Sequence, residues 1–378
     1  MKKFRILSVV IFISSFFVYS DHFSKSLWLH STDFSNNKKI ATVEINEKFE
    51  FYKDIGVQNL YVFKTLKNES KKEWNFLKFV IKIAHQKGMQ VHPVITSGNK
   101  VRNQKFLKKK QSWLIKDPFG KTLPYLNLSN PDVRKYIQKQ AKKMLKYDVD
   151  GIHLDYIRFP YLSSKTPGDS VSSVMVGVVR TAFNHFIPDN IFHTASDNYF
   201  SYDKETLELF NRYFNEEDEG GSGDEEYILA QWRKWNASNV TLLVKGIKDQ
   251  IKKSGKDIPL SAAIFSNREF ALNSLGQDWG KWAAEETVDV VCPMLYSNDN
   301  SWFKDRLKTV MENVAGGCKV VAGIAIVSST NKNTPEGMVS QIRIAKELGA
   351  DGVVFFSGGS LTEEFGKTIK ETGNLREI

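Results

Sequence analysis

Gly151-Ile152-His153-Leu154-Asp155-Tyr156-Ile157-Arg158-Phe159-Pro160 is the stretch whose reading decides the fold. Side chains alternate along a strand, so Ile152 and Leu154 on one face place His153 and Asp155 on the other. A short apolar run that ends on a carboxylate and passes into a loop fits a buried parallel strand. In a (β/α)8 barrel the inward carboxylate at such a strand end lies on the face that carries catalysis.

Outward from this segment, β-rich apolar runs alternate with amphipathic helical stretches, the pattern of βα units. Strands are expected at Ser26 to His30, Asn59 to Phe63, Gln90 to Ile95, Gly151 to Tyr156, Leu260 to Phe265, Val288 to Met294, Lys319 to Ile324 and Gly352 to Phe356. Helices are expected at Trp74 to Lys87, Pro131 to Tyr147, Ala230 to Lys253, Trp302 to Val314, Pro335 to Leu348 and Leu361 to Glu371. Gly56, Gly88 and Gly349 stand at helix-to-strand joints, where a left-handed glycine ends a helix. Eight such units favour an α/β fold of the closed (β/α)8 TIM barrel type. An open doubly wound sheet is the alternative, and no Gly-x-Gly-x-x-Gly turn follows the first strand.

Two connections are long, and both follow strands: the loops after strands 3 and 4. The first runs from Thr96 to Asn130. The second runs from Tyr161 to Glu226, with a helix expected around Val171 to Phe186 and an acidic, glycine-rich stretch at Glu216 to Glu226. Like charges and glycines there read as a solvated loop, with a lid or cation site as the sharper alternative.

The chain has 378 residues, which suits one barrel with insertions, and 41% hydrophobic residues suffice for its core. Residues 1–20 read as a secretory leader: Lys2, Lys3 and Arg5, an apolar run from Ile6 to Tyr19, and small residues before a cleavage point. An uncleaved anchor is the other reading of that run. Cleavage leaves 21–378 as a single barrel domain, takes the formal net charge from +10 to +7, and leaves no stable membrane span. A basic protein outside the cytoplasm suits anionic envelope polymers. The lysines are scattered through helical stretches, so nucleic acid is not an expected partner. Cys292 and Cys318, the two cysteines, fall at different heights and are expected to stay unpaired.

Six segments carry a family resemblance: Ser26-Leu27-Trp28-Leu29, Ala84 to Pro93, Leu126 to Arg134, Val149 to Tyr156, Val288 to Tyr296, and Gly352 to Ser357. In this order they resemble the glycosyl-hydrolase-like family 10 proteins, barrel proteins of bacterial envelopes distantly related to the α-amylase group. Members often carry a second carboxylate where this chain has Tyr156, and a tryptophan where it has Ser297. The resemblance implies a secreted or periplasmic glycoside hydrolase. It also implies peptidoglycan strands stripped of stem peptides as one substrate class.

Glycosidic cleavage needs a proton for the leaving oxygen and a negative charge or nucleophile at the anomeric carbon. Asp155 is the first catalytic candidate, either as nucleophile, as in the α-amylase pattern, or as acid/base. A neighbouring Arg158 is expected to lower its pKa and favour the nucleophile. Glu269 is the candidate partner, because the α-amylase group takes its acid from the fifth strand; Asp33 and Asp299 follow other strands. A 2-acetamido sugar can supply its own nucleophile, leaving one protein acid sufficient. Expected substrate-binding residues are His92, placed at the end of the third strand, Asn127, Tyr156, Arg158, Tyr296, Asn298, Asp299 and Trp302. His153 completes that set or orients Asp155.

No cofactor is expected. A metal site is left only as a three-strand histidine arrangement of His30, His92 and His153. A polysaccharide or oligosaccharide is the expected partner. A catalytically silent glycan-binding barrel and a metal-dependent deacetylase are the rival functions.

Overall fold

The computed structural model describes residues 23–63, 75–117, 120–160, 200–217, 225–328 and 331–372. In chain order the elements are β1 (Ser24–His30), α1 (Lys38–Asp54), β2 (Asn59–Phe63), α2 (Phe76–Gln86), β3 (Gln90–Thr96) and α3 (Gln104–Lys109). The hairpin β4 (Leu114–Lys116) and β5 (Thr122–Leu126) follows, then α4 (Pro131–Met144), β6 (Ile152–Asp155), α5 (Lys204–Glu217), α6 (Glu225–Lys253) and β7 (Leu260–Phe265). The chain continues through α7 (Arg268–Leu275), α8 (Trp279–Ala284), β8 (Val290–Met294), α9 (Asn300–Val314), β9 (Lys319–Ala325), α10 (Pro335–Glu347), β10 (Gly352–Phe356) and α11 (Glu363–Thr372).

Eight parallel strands, β1, β2, β3, β6, β7, β8, β9 and β10, close on one another in that order. The closed barrel expected from the alternation is therefore present, and each of the eight expected strands corresponds to one of these to within two residues. Gly56, Gly88 and Gly349 take φ of 79°, 75° and 77° at the joints where a left-handed turn was required. Residues 1–20, expected as a leader, the helix expected around Val171 to Phe186 and most of the acidic stretch lie outside the described residues.

Five helices of this architecture, α1, α3, α5, α7 and α8, and the hairpin β4–β5 are not among the elements expected from the sequence pattern. Helix α1 buries Ala41, Ile45, Phe49 and Tyr52 on one face while Ile40 and Val43 face solvent, which blurs its apolar stripe. The hairpin β4–β5 and α3 lie in the long connection expected after β3.

Alternation sorts the strand side chains into two cores. Ile152 and Leu154 join the shell between strands and helices, together with Leu27, Leu29, Val91 and Val133. Trp28, Tyr61, Ala263, Cys292, Val321 and Val354 fill the barrel interior. Cys292 is buried there, Cys318 lies one residue before β9, and both thiols are free.

The amino ends of the strands are locked by one device used four times. Before each even-numbered strand of the barrel, a polar residue pairs with the first residues of the preceding strand through both its backbone and its side chain. Gln58 donates its N–H to the Lys25 carbonyl and accepts from the Lys25 N–H at 2.9 Å. Asp150 does the same with Val91, Asp289 with Leu260, and Asp351 with Val320, the carboxylates accepting at 2.8, 2.7 and 2.8 Å. Asp150 also accepts from His85, and Asp289 from Lys248 at 2.6 Å. These side chains satisfy strand-end donors that would otherwise be buried without partners.

Candidate active site

Register sets the height of each side chain in the barrel. Thr96 pairs with Asp155 and Val94 with His153, so Asp155 stands at the carboxyl end of both β3 and β6. The chain turns sharply at the next residue. Tyr156 has φ of 51°, a left-handed conformation uncommon for a tyrosine, and its ring is 39% exposed. Its carbonyl holds the turn by accepting from Gly98 N–H at 2.6 Å, Ser97 Oγ at 3.0 Å and Arg158 N–H at 2.9 Å. Gly98 is required for this approach, since a Cβ there would stand 2.5 Å from the Arg158 carbonyl oxygen.

Asp155 is 7% exposed, and its Oδ1 accepts from the Tyr156 N–H at 2.6 Å. Burial pushes its carboxyl up to about 6, against the opposing pull of that N–H and of the Arg158 charge. The expected downward shift by Arg158 is thus the smallest of the three influences, and desolvation sets the sign. Such a carboxyl suits a proton donor near neutral pH better than a permanently ionised nucleophile.

The rim around Asp155 is aromatic. His30 and Phe63, paired at the ends of β1 and β2, stack at 4.2 Å between ring centroids. Phe356 at the end of β10 meets His30 edge-on and stacks on Tyr296 at 5.4 Å. Trp28 lies against both Phe356 and Tyr296 as the floor beneath them. Burial and the nearby Asp155 charge hold the Tyr296 phenol well above its usual pKa, leaving a neutral hydroxyl. Tyr296 thus belongs to this rim, as do Tyr156 and Arg158. His30, Phe63 and Phe356 were not singled out as sugar-binding residues. The strand-end alternation that located Asp155 points to them too, for each ends or nearly ends its strand on the inward face.

Other expected residues take different roles. His92 does not end its strand: it is the third residue of β3, four residues before Thr96, and so lies about 13 Å below the level of Asp155. Its ring is buried in the lower barrel, edge-on to Tyr61, and neither ring nitrogen has a partner among the described residues. Burial lowers its pKa to about 4, so the imidazole is neutral. Gly151 leaves room for it, because a Cβ there would come within 2.1 Å of Nδ1.

His153 is also committed inside the barrel. Its Nε2 accepts from the Trp28 indole at 3.0 Å, its Nδ1 meets Ser261 Oγ at 2.8 Å, and it stacks on Tyr61 at 4.1 Å. Both nitrogens are occupied, so it supports the floor rather than a sugar, and none of its described bonds reaches Asp155.

Asn127 is buried and spent on structure: its amide donates to Asp203 and Thr206, and its Oδ1 accepts from Ser129 N–H. Asn298 ties two loops by donating to the Lys332 carbonyl and accepting from Asn331. Asp299 caps α9, accepting from Ser301 and Trp302 N–H groups. Trp302 is 37% exposed in that first turn, with the Arg306 guanidinium 5.8 Å from its ring. Among the carboxylates considered as partners of Asp155, Asp33 accepts from the His30 N–H, and Glu269 is exposed in the first turn of α7. Among the described residues, no three His, Cys, Asp or Glu side chains are grouped to hold a metal.

A strand-four carboxylate under an aromatic rim matches what the six sequence segments imply, and a family model decides the matter: glycosyl hydrolase-like 10 matches residues 56–341. The chain belongs to that family. No curated protein matches it by sequence. Among solved structures it is similar to the PgaB (BpsB) glycoside hydrolase domain from Bordetella bronchiseptica, with TM-score 0.63 and 10% identity over 94% of this chain and 100% of that one. It is also similar to the catalytic domain of a β-amylase from Paenibacillus polymyxa, with TM-score 0.57 and 12% identity over 94% and 99%. A β-galactosidase from Bacillus circulans sp. alkalophilus aligns with TM-score 0.60 and 15% identity over 93% of this chain and 55% of its own. At these identities the likeness is one of fold. The glycosyl hydrolase-like 10 member described here therefore shares a barrel with glycoside hydrolases, and its chemistry rests on its own side chains.

Proposed function

We propose that this protein is a glycoside hydrolase cleaving a cell-envelope or extracellular polysaccharide, with peptidoglycan glycan strands the first substrate to test. One observation carries the reading: a buried carboxyl, Asp155, at the carboxyl end of the fourth barrel strand, with a pKa raised to about 6. In its protonated form Asp155 delivers its proton to the leaving glycosidic oxygen as the bond to the anomeric carbon breaks. Water then attacks the sugar, and the Asp155 carboxylate takes up the proton that water releases. The aromatic rim of Tyr296, Phe356, His30 and Phe63 offers apolar faces on which sugar rings stack.

The second group is argued from what the neighbouring carboxylates do. Asp33 and Asp299 are occupied by backbone N–H groups, which favours a mechanism that needs one protein acid. On a 2-acetamido sugar, the acetamido carbonyl attacks the anomeric carbon as Asp155 protonates the leaving group. Peptidoglycan and poly-N-acetylglucosamine both carry that group. Glu269 is kept as the alternative partner should the substrate lack it.

The leader-like residues 1–20 and the basic mature chain support a secreted or periplasmic location. Among the described residues no helix is long and apolar enough to cross a membrane. The deciding experiment incubates the protein with intact sacculi, amidase-stripped sacculi and poly-N-acetylglucosamine, and identifies products by mass spectrometry. New reducing ends on one of them support hydrolysis. Binding without cleavage would reassign the barrel to glycan recognition, and acetate release without chain cleavage to deacetylation.

A further inference from the structure

Arg158 is a cation placed with unusual care. It is 8% exposed, and its guanidinium lies 5.0 Å from the Tyr156 ring centroid and 5.1 Å from that of Phe265, a residue at the mouth end of β7. One guanidinium nitrogen donates to the Phe159 carbonyl at 3.1 Å. Among the described residues the guanidinium makes no other hydrogen bond and no ion pair. The backbone that carries it is pinned by the three bonds to the Tyr156 carbonyl and by the close fit over Gly98. Ordering and burying a guanidinium costs free energy that an ion pair would ordinarily offset. Here Asp155, three residues away, is not within ion-pairing distance.

We propose that Arg158 is the receptor for a carboxylate borne by the substrate, so that this site takes an acidic glycan. The proposal rests on the glycosidase reading and deepens it by naming the charge of the sugar beside the cleaved bond. A planar fork of N–H donors matches the two oxygens of a carboxylate, and the Tyr156 and Phe265 rings flank it. Among the described residues no second cation acts on Arg158, and one fixed cation suits a monoanion better than a phosphate dianion. The carboxylate is either that of a uronic acid or a lactyl ether on an amino sugar; both present the same group.

Binding is measured by calorimetry on Asp155→Asn, so that each ligand survives the titration. The probes are glycan strands with free lactyl carboxyls, a glucuronate-bearing oligosaccharide, the carboxyl-amidated twin of each, and a neutral N-acetylglucosamine oligomer of equal length. An acid form binding at least about tenfold tighter than its amidated twin is the expected result. The pair that shows the difference names the source of the carboxylate. Adding Arg158→Met should bring that ratio close to one, and Arg158→Lys should leave it intermediate, whatever happens to absolute affinity. Equal affinity for both twins of both acids, or a ratio that survives Arg158→Met, overturns the proposal. Cleavage by the native protein is scored separately. Discrimination without cleavage sinks the hydrolase reading and leaves this one standing, cleavage without discrimination does the reverse, and binding to no probe removes both.

Discussion

The two ends of the barrel use the same residue type in opposite ways. At the amino end, Asp150, Asp289 and Asp351 each accept a strand-end N–H, and two of them also meet a histidine or lysine. At the carboxyl end, Asp155 is more deeply placed yet among the described residues accepts only the Tyr156 N–H, and burial lifts its carboxyl to about 6. A carboxylate surrounded by donors stabilises a fold and does nothing else. One short of donors and removed from water holds a proton it can give away. The difference between scaffold and candidate catalyst is one of solvation, not of sequence type.

The strongest way to break this contrast is to neutralise both kinds of carboxylate. Asp155→Asn should lower glycan cleavage by roughly 10²- to 10⁴-fold, measured as new reducing ends, the range for loss of a general acid. Its effect on stability should be favourable. A folded pKa raised above the unfolded value of about 3.9 contributes stability below pH 4 that is lost as pH rises through about 6, worth some 2–3 kcal/mol. The variant should therefore melt higher than the native protein at pH 7. Full activity in Asp155→Asn would end the proposed chemistry.

Asp289→Ala, at the opposite end, should cost about 2–4 kcal/mol of stability by stranding the Leu260 N–H and Lys248, with turnover per folded molecule unchanged. Thermal unfolding and kinetics on the same preparation separate the two effects.

Below the level of Asp155, His92 makes an acid-sensitive core. Its folded pKa of about 4 lies under the unfolded value near 6.5, so its stability contribution is present above pH 6.5 and lost as pH falls through 4. His92→Leu should flatten the fall in melting temperature across that window. Gly151→Ala, which drives a methyl group into the same ring, should destabilise by about 1–3 kcal/mol at any pH.

The smallest effect is expected at the exposed first turn of α9. Trp302→Ala should raise KM for a long glycan by less than about tenfold and leave kcat in place, since its half-open ring can only add stacking.

Sequence reasoning reached the strands because β-branched runs at βα spacing have few other solutions, and it reached the three joint glycines because each needs positive φ. It reached Asp155 for the same reason: alternation and a strand end together specify one inward carboxyl. It misplaced His92 because alternation gives the face of a strand but not the height; only the register against β6 shows which end of β3 the ring occupies. It overvalued Asn127, Asn298 and Asp299 because a polar residue after a strand looks the same whether its bonds go to a ligand or to a neighbouring loop. Their partners, Thr206, Lys332 and the start of α9, are decided by folding. Helix α1 escaped notice because its exposed Ile40 and Val43 interrupt the stripe that packing selects.

By itself, then, the order of residues determined a parallel barrel, the inward face of each strand and one carboxyl at the mouth, since these follow from local period and chain direction. The tertiary structure alone decided which polar groups are satisfied and which are not. Solvation at a point depends on everything packed around it, drawn here from strands far apart in the chain. That is why the proton affinity of Asp155, the silence of His153 and the burial of the Arg158 charge become visible only when the barrel is closed.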